Sequence, residues 1–499
     1  VKRLILSFAL ISALHWPARA DEQMIESRTS SLVDDVPAIA FSEAPIADTK
    51  PILSSTEIAS AIATLLPNIA SLPHLAHLPK HEWETLIAFY TTRDNAPIWI
   101  GGEGIQARTA MLTDRLMKAD EDGLNPSDYP LPSLKSEADT ASSRALSDIM
   151  ISASAIAYAR DARGARIDLN RLSKLITPKL DLPSSSAVLA NLIGSSNPGE
   201  VLARYNPPQA GYRLLKEKLA MLRETTGSIG ETSSATGLQP SRKPIKTTTA
   251  MVAQNPITPF DLIVNMERWR WVERELGDRY IEVNLPEFML HVIDHGRVVH
   301  STKTIVGKPD TPTPIFSEKM QYLIVNPSWH VPYSIVKKEF LPKLAEDPDF
   351  AAKSGYEVTQ NGDLVTIRQP PGEKNALGFV KFMFPNQHSV YLHDTPTRKL
   401  FTNTERAYSH GCVRVEDPFS LASVVLNDPK YSTDELKTLI GRGERVIKLK
   451  EPLPVQLTYF TVVSDQAGEL HHVGDIYGYD QTVQAALGLG QPRNYAVLK

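Results

Sequence analysis

Ser409-His410-Gly411-Cys412-Val413-Arg414-Val415 is the stretch around which this chain of 499 residues is organised. It contains the only cysteine of the sequence, preceded by His410 and Gly411 and followed by Arg414. A second histidine, His393, closes the upstream run Ser389-Val390-Tyr391-Leu392-His393. A free thiol has a pKa of about 8.5, so little of it is thiolate at neutral pH, and an imidazole that takes its proton makes it a nucleophile. Cys412 is therefore read as the nucleophile and His393 as its proton acceptor and donor. His393 ends a predicted strand, which holds a side chain rigidly, so it is preferred over His410, which receives a supporting role. Gly411 permits a tight backbone turn, and its N–H, with that of Cys412, is a candidate oxyanion donor. Arg414, Ser409, Trp329 and Tyr391 are the candidate substrate-binding residues; Arg414 suits a substrate carboxylate or a loop brace, and both readings stay open.

Two other readings of the same residues fit less well. A buried structural cysteine is common, but Ser, His, Gly and Arg do not describe an apolar core. Zinc bound by His393, Asp394, His410 and Cys412 lacks any paired-cysteine or His-Glu-x-x-His element. No metal and no cofactor are expected.

The composition is that of a globular protein, 42% hydrophobic and 22% charged, and its length suggests several domains. The formal net charge of −4 argues against a nucleic-acid partner. Residues 1–20 read as a secretory signal peptide: Lys2 and Arg3, an apolar run from Leu4 to Leu14, then Pro17-Ala18-Arg19-Ala20 before Asp21. The expected location is the periplasm, with a retained inner-membrane anchor as the variant outcome. A lone cysteine in an oxidising compartment cannot pair within its own chain, which favours a functional reading.

Residues 21–55, rich in Asp, Glu, Ser, Ala and Pro, read as a disordered tether. Residues 56–224 carry helical periodicity and read as an all-α scaffold, with helices over 56–66, 82–92, 105–119, 137–161, 186–193 and 211–223. The Thr/Ser/Gly/Pro/Lys-rich stretch 225–258 reads as a linker. A helix from Leu262 to Trp271 follows, and then short strands over 280–285, 288–293, 298–306, 322–325, 389–393 and 446–449. Residues 333–344 and 418–426 look helical. The segment 329–376, with a hairpin over 357–368, is placed to form a lid. Residues 259–450 are taken as the catalytic domain and 451–499 as an extension packed on it, with a strand over 456–463 and a helix over 480–487. The expected fold class is α+β and multidomain: an all-α scaffold followed by a mainly β, β-sandwich-like domain.

The pattern His-x(15)-Ser-His-Gly-Cys-x-Arg, from His393 to Arg414, resembles the signature of the L,D-transpeptidases, the YkuD-like domain. The stretches Asn265–Trp271, Val306–Pro314, Asn326–Pro332, Lys381–Asn386 and Phe89–Asp94 are similar to the large periplasmic subgroup of that family. The resemblance implies that Cys412 attacks the carbonyl of the third residue of a peptidoglycan tetrapeptide stem, typically diaminopimelate, and releases the terminal D-Ala. A thioester then passes to the side-chain amine of a neighbouring stem and gives a 3→3 cross-link. His393 would be the acid/base, carbapenems would acylate Cys412, and residues 329–376 would be the subgroup's capping region. Arg414 stands where the wider family often has Asn, so that Asn's role does not transfer. Many members carry a peptidoglycan-binding module before the catalytic domain; here the interval is the short polar stretch 225–258.

Other outcomes use the same acyl-enzyme: water as acceptor, giving an L,D-carboxypeptidase, or an amine of an outer-membrane protein, giving attachment to the wall. Other wall synthases are candidate partners. A non-catalytic wall-binding scaffold is the alternative from another class.

Overall fold

The computed structural model describes residues 53–72, 75–133, 139–229, 256–362, 364–465 and 467–490. The expected signal peptide, nearly all of the tether and most of the linker lie outside these residues. No helix among the described residues is long and apolar enough to cross a membrane.

The helical part comprises α1 (Ser55–Leu65), α2 (Lys80–Thr91), α3 (Glu103–Met117), α4 (Ala141–Asp161), α5 (Leu169–Leu172), α6 (Ser185–Ile193), α7 (Pro198–Ala203) and α8 (Ala210–Ile229). Helix α1 starts where Ser54 accepts from the Glu57 N–H while the Glu57 carboxylate accepts from the Ser54 N–H, a reciprocal capping box. The long α4 is Ala-, Ser- and Ile-rich on all sides and is correspondingly buried from Ile151 to Arg160. Within it Asp148 is fully buried. The Tyr90 hydroxyl donates to its Oδ1 at 2.7 Å, and the N–H groups of Ile98, Trp99 and Ile100 donate to Oδ2 at 3.0, 2.7 and 3.1 Å. One carboxylate thus holds the turn after α2 against α4. Asp148→Ala should leave these donors buried without an acceptor and lower unfolding stability by about 3 kcal/mol; chemical denaturation measures it, and a loss under about 1 kcal/mol would contradict this role.

The β part opens with α9 (Pro259–Trp269), capped by Thr258. Its strands are β1 (Arg279–Asn284), β2 (Met289–Asp294), β3 (Arg297–Gly307), β4 (Phe316–Val325), β5 (Trp329–His330), β6 (Glu357–Asn361), β7 (Leu364–Gln369), β8 (Val380–Met383), β9 (Leu392–His393), β10 (Ala407–Ser409), β11 (Val413–Val415), β12 (Arg445–Thr458), β13 (Val462–Ser464) and β14 (Leu470–His472). The main sheet has the order β10-β3-β11-β9-β8-β4-β12-β1-β2, and β2 pairs again with β3. The pairings therefore form a closed circuit, with β10 attached to β3 beside it. The domain is mainly β, as expected, and the inward-facing apolar residues of the strands meet the helix Pro418–Leu426 in one core.

Two departures from the sequence reading have clear causes. The stretch 389–391 is not strand: Ser389 has a φ of 54°, and Asn386 Oδ1 accepts from the N–H groups of His388 and Val390, which folds the chain into a turn. Strand β12 runs through position 451, where the extension was expected to begin. The ladder to β4 shifts register after Lys448 and resumes at Leu453, so one strand spans the boundary.

The helical and β parts share a core. Ile167, Leu169, Ile176, Tyr212, Leu215 and Leu219 pack with α9 and the sheet rather than with the remaining helices. Ile176 forms a parallel bridge to Ile315, just before β4. Trp271 is buried, and Trp269 stacks on Phe460 with ring centroids 4.4 Å apart. Trp271 thus packs inward, and Trp269 is partly buried against the same core. The segment 329–376 carries its own small sheet, β5-β7-β6, and its own apolar cluster of Val331, Val336, Phe340 and Ile367.

Candidate active site

Strands β9 and β11 run parallel, with Leu392 opposite Val413 and His393 opposite Arg414. On its other side β9 meets β8, with Lys381 opposite His393. A row of three basic side chains, Lys381, His393 and Arg414, therefore crosses three strands. Tyr391 and Cys412, which immediately precede these two strands, line the same cavity as His393 and Arg414. Leu392 and Val413 point to the other face, into the core. The motif's apolar residues thus anchor its reactive ones.

The turn into β11 is built from the motif itself. Ser409 is buried; its hydroxyl donates to the Cys412 carbonyl and accepts from the Gly411 N–H at 3.1 Å. Gly411 has a φ of 113°, a conformation a side chain would disfavour. The Ser409 carbonyl in turn accepts from the Lys308 N–H at 3.0 Å and the Thr311 hydroxyl at 3.1 Å. That loop leaves β3 through Gly307, where an added Cβ would fall 2.1 Å from the Thr311 carbonyl oxygen. Ser409 thus braces the turn. The Gly411 N–H, expected as an oxyanion donor, is engaged by Ser409, whereas no hydrogen bond from the Cys412 N–H is seen among the described residues.

His393 is buried, and its Nδ1 hydrogen-bonds the carbonyl of Asp394. A carbonyl only accepts, so Nδ1 carries the hydrogen and Nε2 keeps its lone pair. Burial and the Arg414 and Lys381 charges push the imidazole down to about 3, against the pull of the Asp394 carbonyl. The ring is therefore a neutral acceptor near neutral pH. Asp394 is fixed by the N–H groups of Phe379 and Thr395, at 2.8 and 2.7 Å, and by Arg398 at 2.7 Å.

Burial raises the pKa of the Cys412 thiol, while the Tyr391 N–H and hydroxyl, Lys381 and Arg414 lower it. Near neutral pH the cavity thus holds a neutral thiol and a neutral imidazole. Such a pair suits a nucleophile whose proton leaves as it attacks. Burial and Cys412 push the Tyr391 phenol upward. The Lys381 ammonium lies 3.9 Å from the centre of the Tyr391 ring. Arg414 Nε has no hydrogen-bond partner among the described residues, and Nη1 is 3.5 Å from Thr397 Oγ1.

Tyr391, His393, Cys412 and Arg414 line a cavity of about 390 Å³, roofed by Trp329, Ile335 and their neighbours in the capping segment. His410 is directed to the cap: its Nε2 lies 2.8 Å from Glu339 Oε1. All eight sequence-derived residues except Gly411 line this cavity directly, and Gly411 sits in the turn between two that do. Sequence reasoning missed Lys381, Glu339 and His388. Lys381 interrupts the apolar run Phe379–Met383, which was a readable signal. Glu339 and His388 reach the site through tertiary placement alone.

Lys381→Met should remove a charge that favours the thiolate. Alkylation of Cys412 by iodoacetamide at pH 8 should slow by about tenfold, equivalent to one pKa unit. An unchanged rate would show that Lys381 does not act on the thiol.

A half-buried thiol and a neutral imidazole thus line one cavity beneath the segment 329–376. Comparison with known proteins identifies two domains. Residues 278–447 match the family model of the YkuD L,D-transpeptidase catalytic domain, and residues 84–219 match that of the Scaffold domain. The chain therefore carries an L,D-transpeptidase catalytic domain behind a scaffold domain. A Haemophilus influenzae protein assigned as an L,D-transpeptidase is 32% identical over 224 residues, 41% of this chain and 45% of the relative. The chain thus spans less than half the length of that relative. Among solved structures, an L,D-transpeptidase from Mycobacterium smegmatis is 14% identical, covering 36% of this chain and 58% of that one, with a TM-score of 0.20. The catalytic domain of the Enterococcus faecium L,D-transpeptidase acylated by ertapenem is 19% identical, covering 37% of this chain and 98% of that one, with a TM-score of 0.16.

Proposed function

We propose that this protein is a periplasmic transpeptidase that forms 3→3 cross-links in peptidoglycan through a Cys412 thioester. The observation that carries the reading is the placement of Tyr391, His393, Cys412 and Arg414 around one capped cavity. As Sγ attacks the carbonyl carbon of the third stem residue, His393 Nε2 takes the thiol proton. The same proton passes to the departing D-Ala nitrogen as the C–N bond breaks. The acceptor amine then attacks the thioester, its proton passes to His393, and the thiol is restored. The Cys412 N–H supports the oxyanion, and Arg414 receives a substrate carboxylate. Tyr391 and Trp329 bound the space beside the sulfur.

Intact-protein mass spectrometry with a tetrapeptide stem and a second stem as acceptor tests this. The expected result is a transient adduct at the mass of the stem less D-Ala, followed by a cross-linked dimer. Products limited to a tripeptide would assign the same site to carboxypeptidase chemistry, and no adduct with either stem or carbapenem would support a non-catalytic scaffold.

A further inference from the structure

A second cavity, larger than the catalytic one, lies away from it. It measures about 980 Å³ and lies in the helical part, at the C-terminal end of α4. Leu75, Leu78, Ile176 and Leu180 give it apolar walls, while Asp161 and Arg166 supply opposite charges. Asp161 Oδ2 accepts from the Tyr129 hydroxyl at 2.9 Å, and Oδ1 has no hydrogen bond among the described residues. The Arg166 side chain is only 8% exposed; it donates to the Gly123 carbonyl from Nη1, while Nη2 reaches Asp128 Oδ2 only at 3.9 Å. Arg160, also in the wall, is by contrast engaged by Glu82 at 2.6 Å and the Pro183 carbonyl at 2.9 Å. A half-buried carboxylate and a largely enclosed guanidinium thus retain bonding capacity inside a space large enough for a short peptide.

We propose that this cavity binds a second peptidoglycan stem, a peptide that presents an ammonium to Asp161 and a carboxylate to Arg166. The choice of a stem as the zwitterionic peptide rests on the function proposed above. Burial raises the Asp161 carboxyl to about 7, against the Tyr129 hydroxyl and the Arg166 charge, and an arriving ammonium would favour its ionised form. The wall of this cavity is hydrogen-bonded to the wall of the catalytic one. Thr177 lines the former, and Thr177 Oγ1 lies 2.7 Å from His388 Nε2, on the wall of the catalytic cavity. A stem held here would keep its polymer beside the active site, which gives the scaffold a share in substrate capture.

The test uses full-length Cys412→Ala protein, which cannot turn the stem over, and calorimetric titration with the tetrapeptide stem. Asp161→Asn, which keeps an acceptor for Tyr129, should bind one equivalent fewer than the protein with Asp161 intact. With a stem acetylated on its side-chain amine the two proteins should bind the same number, which separates loss of the site from loss of the fold. A count that Asp161→Asn leaves unchanged with the unmodified stem, or a difference that persists with the acetylated stem, would overturn the proposal. D-Ala release by the Cys412-containing enzyme separates the two ideas. Release with a count that does not depend on Asp161 defeats the scaffold site alone, whereas an Asp161-dependent equivalent without release supports the site and defeats the catalytic reading.

Discussion

Cys412→Ala is expected to lower D-Ala release from a tetrapeptide stem by at least about 10⁴-fold, because without the sulfur no acyl-enzyme can form. The substitution removes one atom from the cavity wall, and the turn around it is held by Ser409, Gly411 and Thr311, none of which bonds the sulfur. The thermal midpoint should therefore shift by only a few degrees at most. The pairing of lost turnover with retained fold separates a chemical role from a structural one. Release within tenfold of the unsubstituted enzyme would defeat the proposed nucleophile. In that unsubstituted enzyme, the raised thiol predicts labelling that accelerates as pH climbs through the alkaline range.

His393→Gln carries the second large effect. Gln offers no proton relay, so release should fall by about 10²–10⁴-fold, the range of a lost general base. A loss under fivefold would place the base elsewhere. The substitution also has a stability signature. The folded imidazole is pushed down to about 3, whereas an unfolded histidine titrates at about 6.5. Below the unfolded value the unfolded chain binds a proton that the folded one refuses. The contribution of a neutral His393 is therefore complete above about 6.5 and is lost progressively as pH falls toward the folded value. Relative to the Gln variant, the parent should lose stability more steeply over that acidic window. Denaturant unfolding at pH 4 to 7 measures the difference, and parallel curves would remove His393 as the titrating group.

The site was legible where chemistry is concentrated in local sequence. A lone cysteine inside a Ser-His-Gly-Cys turn, and a histidine ending an apolar run, named Cys412 and His393 without any contact information. The helices of the scaffold were legible for the same reason: periodicity and caps such as Ser54 and Glu57 are local. What escaped depends on register. Lys381 matters because β8 sets it opposite His393, and nothing within Val380–Met383 states that pairing. The engagement of the Gly411 N–H depends on the Ser409 rotamer, which sequence does not give. The short β9 was overextended because Val390 and Tyr391 are good strand formers, while the Asn386 side chain imposes a turn on them.

The shared core bears on how the molecule can be taken apart. A chain beginning at residue 256 would retain α9 and the strands but lose Tyr212, Leu215, Leu219 and Ile176 from the face they cover. It would bare a contiguous apolar patch of the kind that drives self-association, and it would lose the Thr177 contact behind His388. The catalytic half is thus not a detachable cartridge. Any recombination of this protein with another must carry the second half of the helical part along with the sheet, since the seam between the two falls inside the helical sequence rather than at its end.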